Sequence, residues 1–385
     1  MPCLRDMEVK RRKGAFNALK SEKIARARVL HFSGTKVMRG NVKFVLVMLL
    51  LTPLSVALNV ARADCAAAST ISSLPQTIGR GQCFEYQGSE ALSGRLTVQG
   101  RLTIKAGARF EVSKGSTLMV SKGGTVTSRG IVSVNSGAAL TVDSLGTFES
   151  FGELHLREDS QTNLGRSANL KSSGKFVLYP NATVLLSDNS LLLTQSSTTV
   201  DNAVISSKGG KVENRGTLNL TAGARVMISK NGSLSNSGRL SLNEGSAIVM
   251  SGNSMLSNRR NILVNGSFTF GDTASFQNYG IFDVNPTGTM QWNDGASFNN
   301  LHALTLSGTM RFKEHSVLEN HNGFKIKEGG VLEITDQATA INRGSVYNSG
   351  TLMTSVQGRF DNKKFYFDAN AQETSGSAAP WQTAR

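Results

Sequence analysis

One feature constrains the fold of this chain more than any other: a slot that recurs every 20 or 22 residues. Asn214, Asn236, Asn258, Asn278, Asn300, Asn320, Asn342 and Asn362 occupy it, at steps of 22, 22, 20, 22, 20, 22 and 20. Counted toward the N-terminus, the same slot falls on Thr194, Ser172, Ser150, Ser128 and Ala106. A phase kept over that many steps means one supersecondary unit repeated along the chain, not a set of separate globular domains.

Apolar residues hold fixed offsets from the slot. Two before it stand Leu234, Leu256, Phe276 and Phe298; four after it stand Leu218, Leu240, Ile262, Phe282, Leu304, Phe324 and Val346, with Phe365 closing the series. Ten and eight before it stand pairs such as Val226/Ile228, Ile248/Met250 and Met290/Trp292. Within each cluster apolar residues alternate with outward ones, which is the period of a strand. Five residues separate Leu242 from Ile248 but three separate Val264 from Phe268, so a single turn is expected to absorb the difference in repeat length.

Such a coil cannot bury its apolar side alone. Stacking copies ~4.8 Å apart buries like on like and pairs every strand above and below. The expected fold is all-β: a right-handed parallel β-helix of about 12–13 coils with 20–22-residue repeats, roughly 60 Å long. No amphipathic stretch of period 3.6 supports an α/β alternative, and the repeat is not the 18 residues of a hexapeptide left-handed helix. Abundant Gly (39), few Pro (6) and 6% aromatics suit many short strands on tight turns. The Asn slot often precedes x-Gly, as in Asn214-Arg215-Gly216. Asn tolerates left-handed backbone and stacks amide on amide, so these residues are expected to form an internal ladder and not an exposed turn.

The ends read differently. Phe44 to Val60 is a short apolar run behind Arg39 and Lys43, followed by the small-x-small site Ala61-Arg62-Ala63. Residues 1–63 are therefore expected to be a leader and secretory signal peptide cleaved before Asp64, with 1–37 an upstream mis-start or an extended signal region. The competing reading, a transmembrane anchor, needs a longer run, so no anchor is expected after cleavage. The leader carries +10 of the formal +15, which removes the case for nucleic-acid binding. Residues 64–95 form an expected N-terminal cap, 96–367 the β-helix, and 368–385 a polar tail. Cys3 falls in the leader; Cys65 and Cys83, in an exported chain, are expected to pair as a disulfide.

The Asn-x-Gly coil with alternating apolar residues, repeated after a signal peptide, resembles the β-helical passengers of bacterial autotransporters and filamentous-haemagglutinin-type adhesins. The likeness covers roughly residues 96–365. It implies secretion or surface display and contact with host, matrix or envelope ligands, carbohydrate among them; the periplasm is the alternative location. No C-terminal run of alternating strands suggests a translocator barrel.

Few constellations carry chemistry. Asp272, Asp294, Glu314 and Asp336 recur six residues before the slot on consecutive coils, either as solvated turn residues or as a Ca²⁺-binding ladder. His155, His302, His315 and His321 lack metal-ligand spacing and read as exposed turn histidines. Gly209-Gly210-Lys211 lacks the flanks of a phosphate loop. Asn181, Asn219, Asn231 and Asn265 head N-glycosylation sequons, relevant only in a eukaryotic source. Arg311, outward between Asp283 and Glu333, is the one hint of a polysaccharide lyase or hydrolase. With no insertion to wall a cleft, the expected function is a secreted, non-catalytic, adhesin-like or structural rod without cofactor.

Overall fold

The computed structural model describes residues 68–71 and 74–369. The leader and signal segment, Cys3, Cys65 and residues 370–385 lie outside the described residues. Every described element is a strand or a turn. The strands form three parallel sheets of 15, 14 and 14 members, and no strand pairs with its neighbour in sequence. Ser69–Ile71 pairs with Cys83–Tyr86, two places on, and every later strand pairs with the one three places on, one coil away. In chain order a coil contributes to sheet 1 (as Ser233–Asn236), sheet 2 (Arg239–Leu242) and sheet 3 (Ala247–Met250). This is a parallel β-solenoid.

Register follows the sequence period. Leu240 pairs with Ile262, Ile262 with Phe282, and Phe282 with Leu304. All four are at most 2% exposed. The second and fourth residues of nearly every strand point inward and the first and third outward, so each sheet sends a column of like side chains into one continuous core. Burying a large apolar side chain contributes about 2 kcal/mol. Aromatic rings concentrate in the coils from Phe268 to Phe312. Phe270, Trp292 and Phe312 stack in sheet 3 with centroids 5.1 and 4.4 Å apart and planes within 7°. Stacking sets the Trp292 orientation at the expense of its indole N–H, which finds no acceptor.

Three sequence expectations need correction. Ser128 pairs with Ile104, not with a residue in phase at Ala106, because Lys105-Ala106-Gly107-Ala108 is a four-residue turn where later coils use two. Ala106 is exposed in that turn. Val346 stacks on Tyr366, while Phe365 points outward and is 50% exposed. Finally, the sheet 2–sheet 3 turn absorbs the 20-versus-22 difference in most coils but not in all. Between Thr194 and Asn214 that turn keeps three residues, Asp201 to Ala203, and the remaining residue is lost after Ser207.

Candidate functional site

The Asn slot forms a continuous internal column beside the sheet 1–sheet 2 corner. The Nδ2 group of Asn214 donates to Asn236 Oδ1 at 2.7 Å, and the pattern repeats at 2.7–2.9 Å through Asn258, Asn278, Asn300, Asn320, Asn342 and Asn362. The Nδ2 groups of Asn214 to Asn342 also reach a backbone carbonyl at the start of the next coil's sheet 2 strand, from Arg239 O at 2.9 Å to Gly323 O at 3.5 Å. Asn214 to Asn342 are at most 2% exposed. Thr194 Oγ1 donates to Asn214 Oδ1 at 3.1 Å, which joins the column to its Ser/Thr half. There Ser128 and Ser172 bond only within their own turns, to Gly130 O and Gly174 O. None of the slot asparagines has positive φ. Left-handed backbone is therefore not why Asn stands there; a buried amide with two donors and an acceptor is.

The acidic column lies in the sheet 3–sheet 1 turns. Asp272, Asp294, Glu314 and Asp336 all have φ between 53° and 57°, the left-handed region. Each carboxylate accepts a backbone N–H from the preceding coil: Gly252 N to Asp272 Oδ2 at 2.7 Å, Asp272 N to Asp294 Oδ2 at 2.9 Å, Asp294 N to Glu314, and Glu314 N to Asp336 at 3.4 Å. The acids thus tie one turn to the next. Among the described residues no three His, Cys, Asp or Glu side chains converge on a point where a metal ion could sit. A shallow depression of about 550 Å³ runs beside Asp294, Glu314, His315 and Asp336, open to solvent.

The enzymatic hint does not assemble. Arg311 and Glu333 are neighbours in sheet 3, with Nε to Oε2 at 2.6 Å and Nη2 to Oε1 at 3.4 Å. Asp283 belongs to sheet 2, between Leu263 and Thr305. The guanidinium pairs with Glu333, and among the described residues no second acid forms an ion pair with it. His302 is exposed in a turn, and His321 pairs with Glu319 at 3.2 Å.

His155 departs from its expected place. It sits in the strand Glu153–Leu156, outward on sheet 2, yet only 6% exposed. Its Nε2 lies 2.8 Å from Glu153 Oε2 and its Nδ1 lies 3.3 Å from the Tyr179 hydroxyl. Arg157 lies over the Tyr179 ring at 4.5 Å, which closes the cover. Burial pushes the imidazole below its usual 6.5, only partly opposed by the Glu153 hydrogen bond. The same hydrogen bond holds Glu153 below its usual 4.5. The sequence carried one signal for this cluster: residues two apart in a strand share a face.

A pH dependence follows. Below about 6.5 an unfolded chain protonates this histidine more fully than the folded chain does, so stability rises with pH through that window. The melting midpoint is expected to fall as pH is lowered from 7.5 to 5.5, and His155→Gln is expected to flatten that part of the profile. The Glu153 contribution is lost at still lower pH, as its carboxylate protonates. Thermal melts of both chains across pH check the prediction; parallel profiles would refute it.

Cys83 opens the strand Cys83–Tyr86 and is 9% exposed; its expected partner, Cys65, lies outside the described residues. The sequon residues Asn181 and Asn231 stand exposed in turns, whereas Asn219 accepts a hydrogen bond from Asn243 at 3.2 Å. Exposed Met227 and Val249 share sheet 3, but Leu263 is on sheet 2, so the three do not form one patch. No helix among the described residues is long and apolar enough to cross a membrane.

No family model and no curated protein matches the chain. Among solved structures it is similar to the TibC-catalysed hyper-glycosylated TibA fragment, at 18% identity over 76% of this chain and 97% of that one, with a TM-score of 0.26. At that score the likeness carries no functional argument.

Proposed function

We propose that this chain is a secreted or surface-exposed, non-catalytic rod, adhesin-like in offering flat strand faces for weak, repeated contact with host, matrix or envelope ligands. One observation carries the reading. From the strand Cys83–Tyr86 onward, no connection between successive strands exceeds four residues. Binding pockets that enclose small substrates are concave and need walls; turns this short raise none. Flat repeated faces instead gain strength from many simultaneous contacts.

The test presents the purified chain to cell surfaces and matrix proteins, and separately to a polysaccharide panel. Retention on a surface without product release is the expected result. Product release abolished by Arg311→Ala or Glu333→Ala would replace the rod with a carbohydrate-active enzyme. Export belongs to the same proposal: the N-terminus of the exported chain is expected at Asp64, and cytoplasmic retention of the full chain would contradict it.

A Cys65–Cys83 bridge would close a short loop at the start of the first coils. In the chain-entropy account such a loop contributes about 3 kcal/mol. Cys83→Ser is expected to lower the melting midpoint of the oxidised chain and leave the reduced chain nearly unchanged. Peptide mapping without reductant is expected to recover the two cysteines linked.

A further inference from the structure

Three Asn-Gly steps occur in the chain: Asn231-Gly232, Asn265-Gly266 and Asn322-Gly323. Asparagine before glycine sets a side-chain amide beside an unhindered backbone nitrogen, because glycine has no Cβ to keep the two apart. They react only if the nitrogen is held against the amide carbon, so the folded geometry decides which step is reactive. The three differ. At Gly232 the N–H donates to Ser229 O at 3.0 Å, which holds the nitrogen in its turn, and Gly232 is buried. Asn265 Oδ1 is taken by Asn285 Nδ2 at 2.7 Å, and a Cβ at Gly266 would meet Ser246 O at 2.4 Å, so amide and glycine are both packed against neighbouring coils. Asn322 is exposed, and the Gly323 N–H donates to its Oδ1 at 2.8 Å. That bond holds the nitrogen against the amide it would attack. The Asn322 Nδ2, the group that must leave, donates to Leu301 O at 3.3 Å. Beyond its chain neighbours, nothing lies within 4 Å of a Cβ added at Gly323, so no packed group resists closure of a ring there.

We infer that Asn322 is a self-modification site, converted through a cyclic imide to aspartate and isoaspartate. Gly323 N bonds to Asn322 Cγ as its proton passes to solvent. The Cγ–Nδ2 bond breaks and that nitrogen leaves as ammonia. Water then opens the imide at either carbonyl. Cleavage at Cγ gives aspartate and restores the ordinary chain. Cleavage at the former backbone carbonyl leaves that carbon as a free carboxylate and routes the chain through Cβ, one atom longer. The second product bears on the fold. Asn322 O accepts Asn320 Nδ2 at 2.8 Å and Ser345 N at 3.1 Å, so it joins the asparagine column to the next coil. Lengthening the chain at that point displaces it, and both products add a negative charge to the corner. The site changes slowly with the age of the molecule, whether or not the rod is adhesive.

Incubating the folded chain in mildly alkaline buffer and mapping its peptides by mass spectrometry tests the assignment. The peptide that holds Asn322 is expected to lose ammonia first and to gain isoaspartate, detected by enzymatic methylation of the isoaspartyl carboxylate. Asn231 and Asn265 are expected to lag by roughly tenfold or more. In denaturant, where the geometry is gone, the three steps are expected to react at similar rates. Gly323→Ala is expected to slow the reaction at Asn322 by roughly tenfold with the melting midpoint unchanged or raised, because the added methyl crowds Asn322 alone. Asn231 or Asn265 reacting first in the folded chain would overturn the inference. So would a lead of Asn322 that persists undiminished in denaturant, or a rate at Asn322 that Gly323→Ala leaves unchanged.

Discussion

Asn258→Ala is expected to lower stability by about 3 kcal/mol, whereas Asn362→Ala, at the end of the same column, costs about 1 kcal/mol. The difference lies in how many buried groups each substitution strands. Asn258 is fully buried. Its Nδ2 reaches Asn278 Oδ1 at 2.8 Å, Arg260 O at 3.0 Å and Ile281 O at 3.1 Å. Its Oδ1 accepts from Asn236 Nδ2 at 2.8 Å and from Arg260 N at 3.3 Å. Alanine removes all of these and leaves partners on both neighbouring coils short of a bond where water cannot reach. Asn362 is partly exposed and accepts from Asn342 at 2.8 Å, so water can replace what is lost. Asn258→Ser should fall between the two, because the serines of the early coils bond within their own turn and not along the column. Denaturation midpoints give the order. Hydrogen exchange should place the Asn258→Ala damage in the coils on either side, since a stacked coil touches only its neighbours. Equal costs at positions 258 and 362 would show that the column contributes little as a chain.

Much of this architecture was legible in the sequence because solenoid folding repeats one local rule. The alternation of Leu240 and Leu242 with outward residues fixes strand and face together, and equal coil length fixes which residue lies over which. The errors arose where a turn changed length without changing the visible pattern. The turn Lys105–Ala108 is apolar enough at Ala106 and Ala108 to imitate a slot, and only the pairing of Ile104 with Ser128 reveals the shift. At the C-terminal end, Phe365 and Tyr366 are both aromatic, so composition could not tell the inward ring from the outward one. The candidate sites were less legible for a different reason. That His155 is covered depends on Tyr179, in the next coil, and on Arg157 above it; neither is implied by the repeat. Asp283 and Arg311, by contrast, stand at different offsets from the slot, five after it and nine before it, and accordingly belong to different sheets.

Gly238→Ala is expected to be among the most damaging single-methyl additions in the chain, at about 3 kcal/mol or more. A Cβ at Gly238 would stand 1.9 Å from Gly216 O, and that oxygen already accepts the Arg239 N–H at 2.8 Å. The methyl and the ladder bond compete for one place. Gly238 O is also an acceptor for Asn236 Nδ2 at 3.1 Å, so any shift that relieves the clash is felt by the asparagine column. Positive φ is not the cause, because Gly238 does not have it. The second residue of this turn is Ser196, Arg260, His302 or Asn322 in other coils, and a Cβ added at Gly216 or Gly280 would meet the carbonyl of Ser196 or Arg260 at 2.1 or 2.0 Å, which places the constraint in the backbone each glycine adopts over the coil before it. Two other glycines separate the mechanisms. Gly245 has φ 78°, and its Cβ would meet Ala222 Cβ at 3.4 Å, an ordinary contact. Gly245→Ala should therefore cost about 1 kcal/mol, from backbone conformation alone. At Gly323 φ is unexceptional and nothing lies within 4 Å of an added Cβ. Gly323→Ala should be neutral or stabilise by up to about 0.5 kcal/mol, by restricting the unfolded chain. Denaturant melts of the three variants should rank them Gly238, Gly245, Gly323. If Gly238→Ala proved as mild as Gly323→Ala, the coils would have to be able to separate locally, and the close backbone stacking that makes Asn-x-Gly recur would not be what holds this corner.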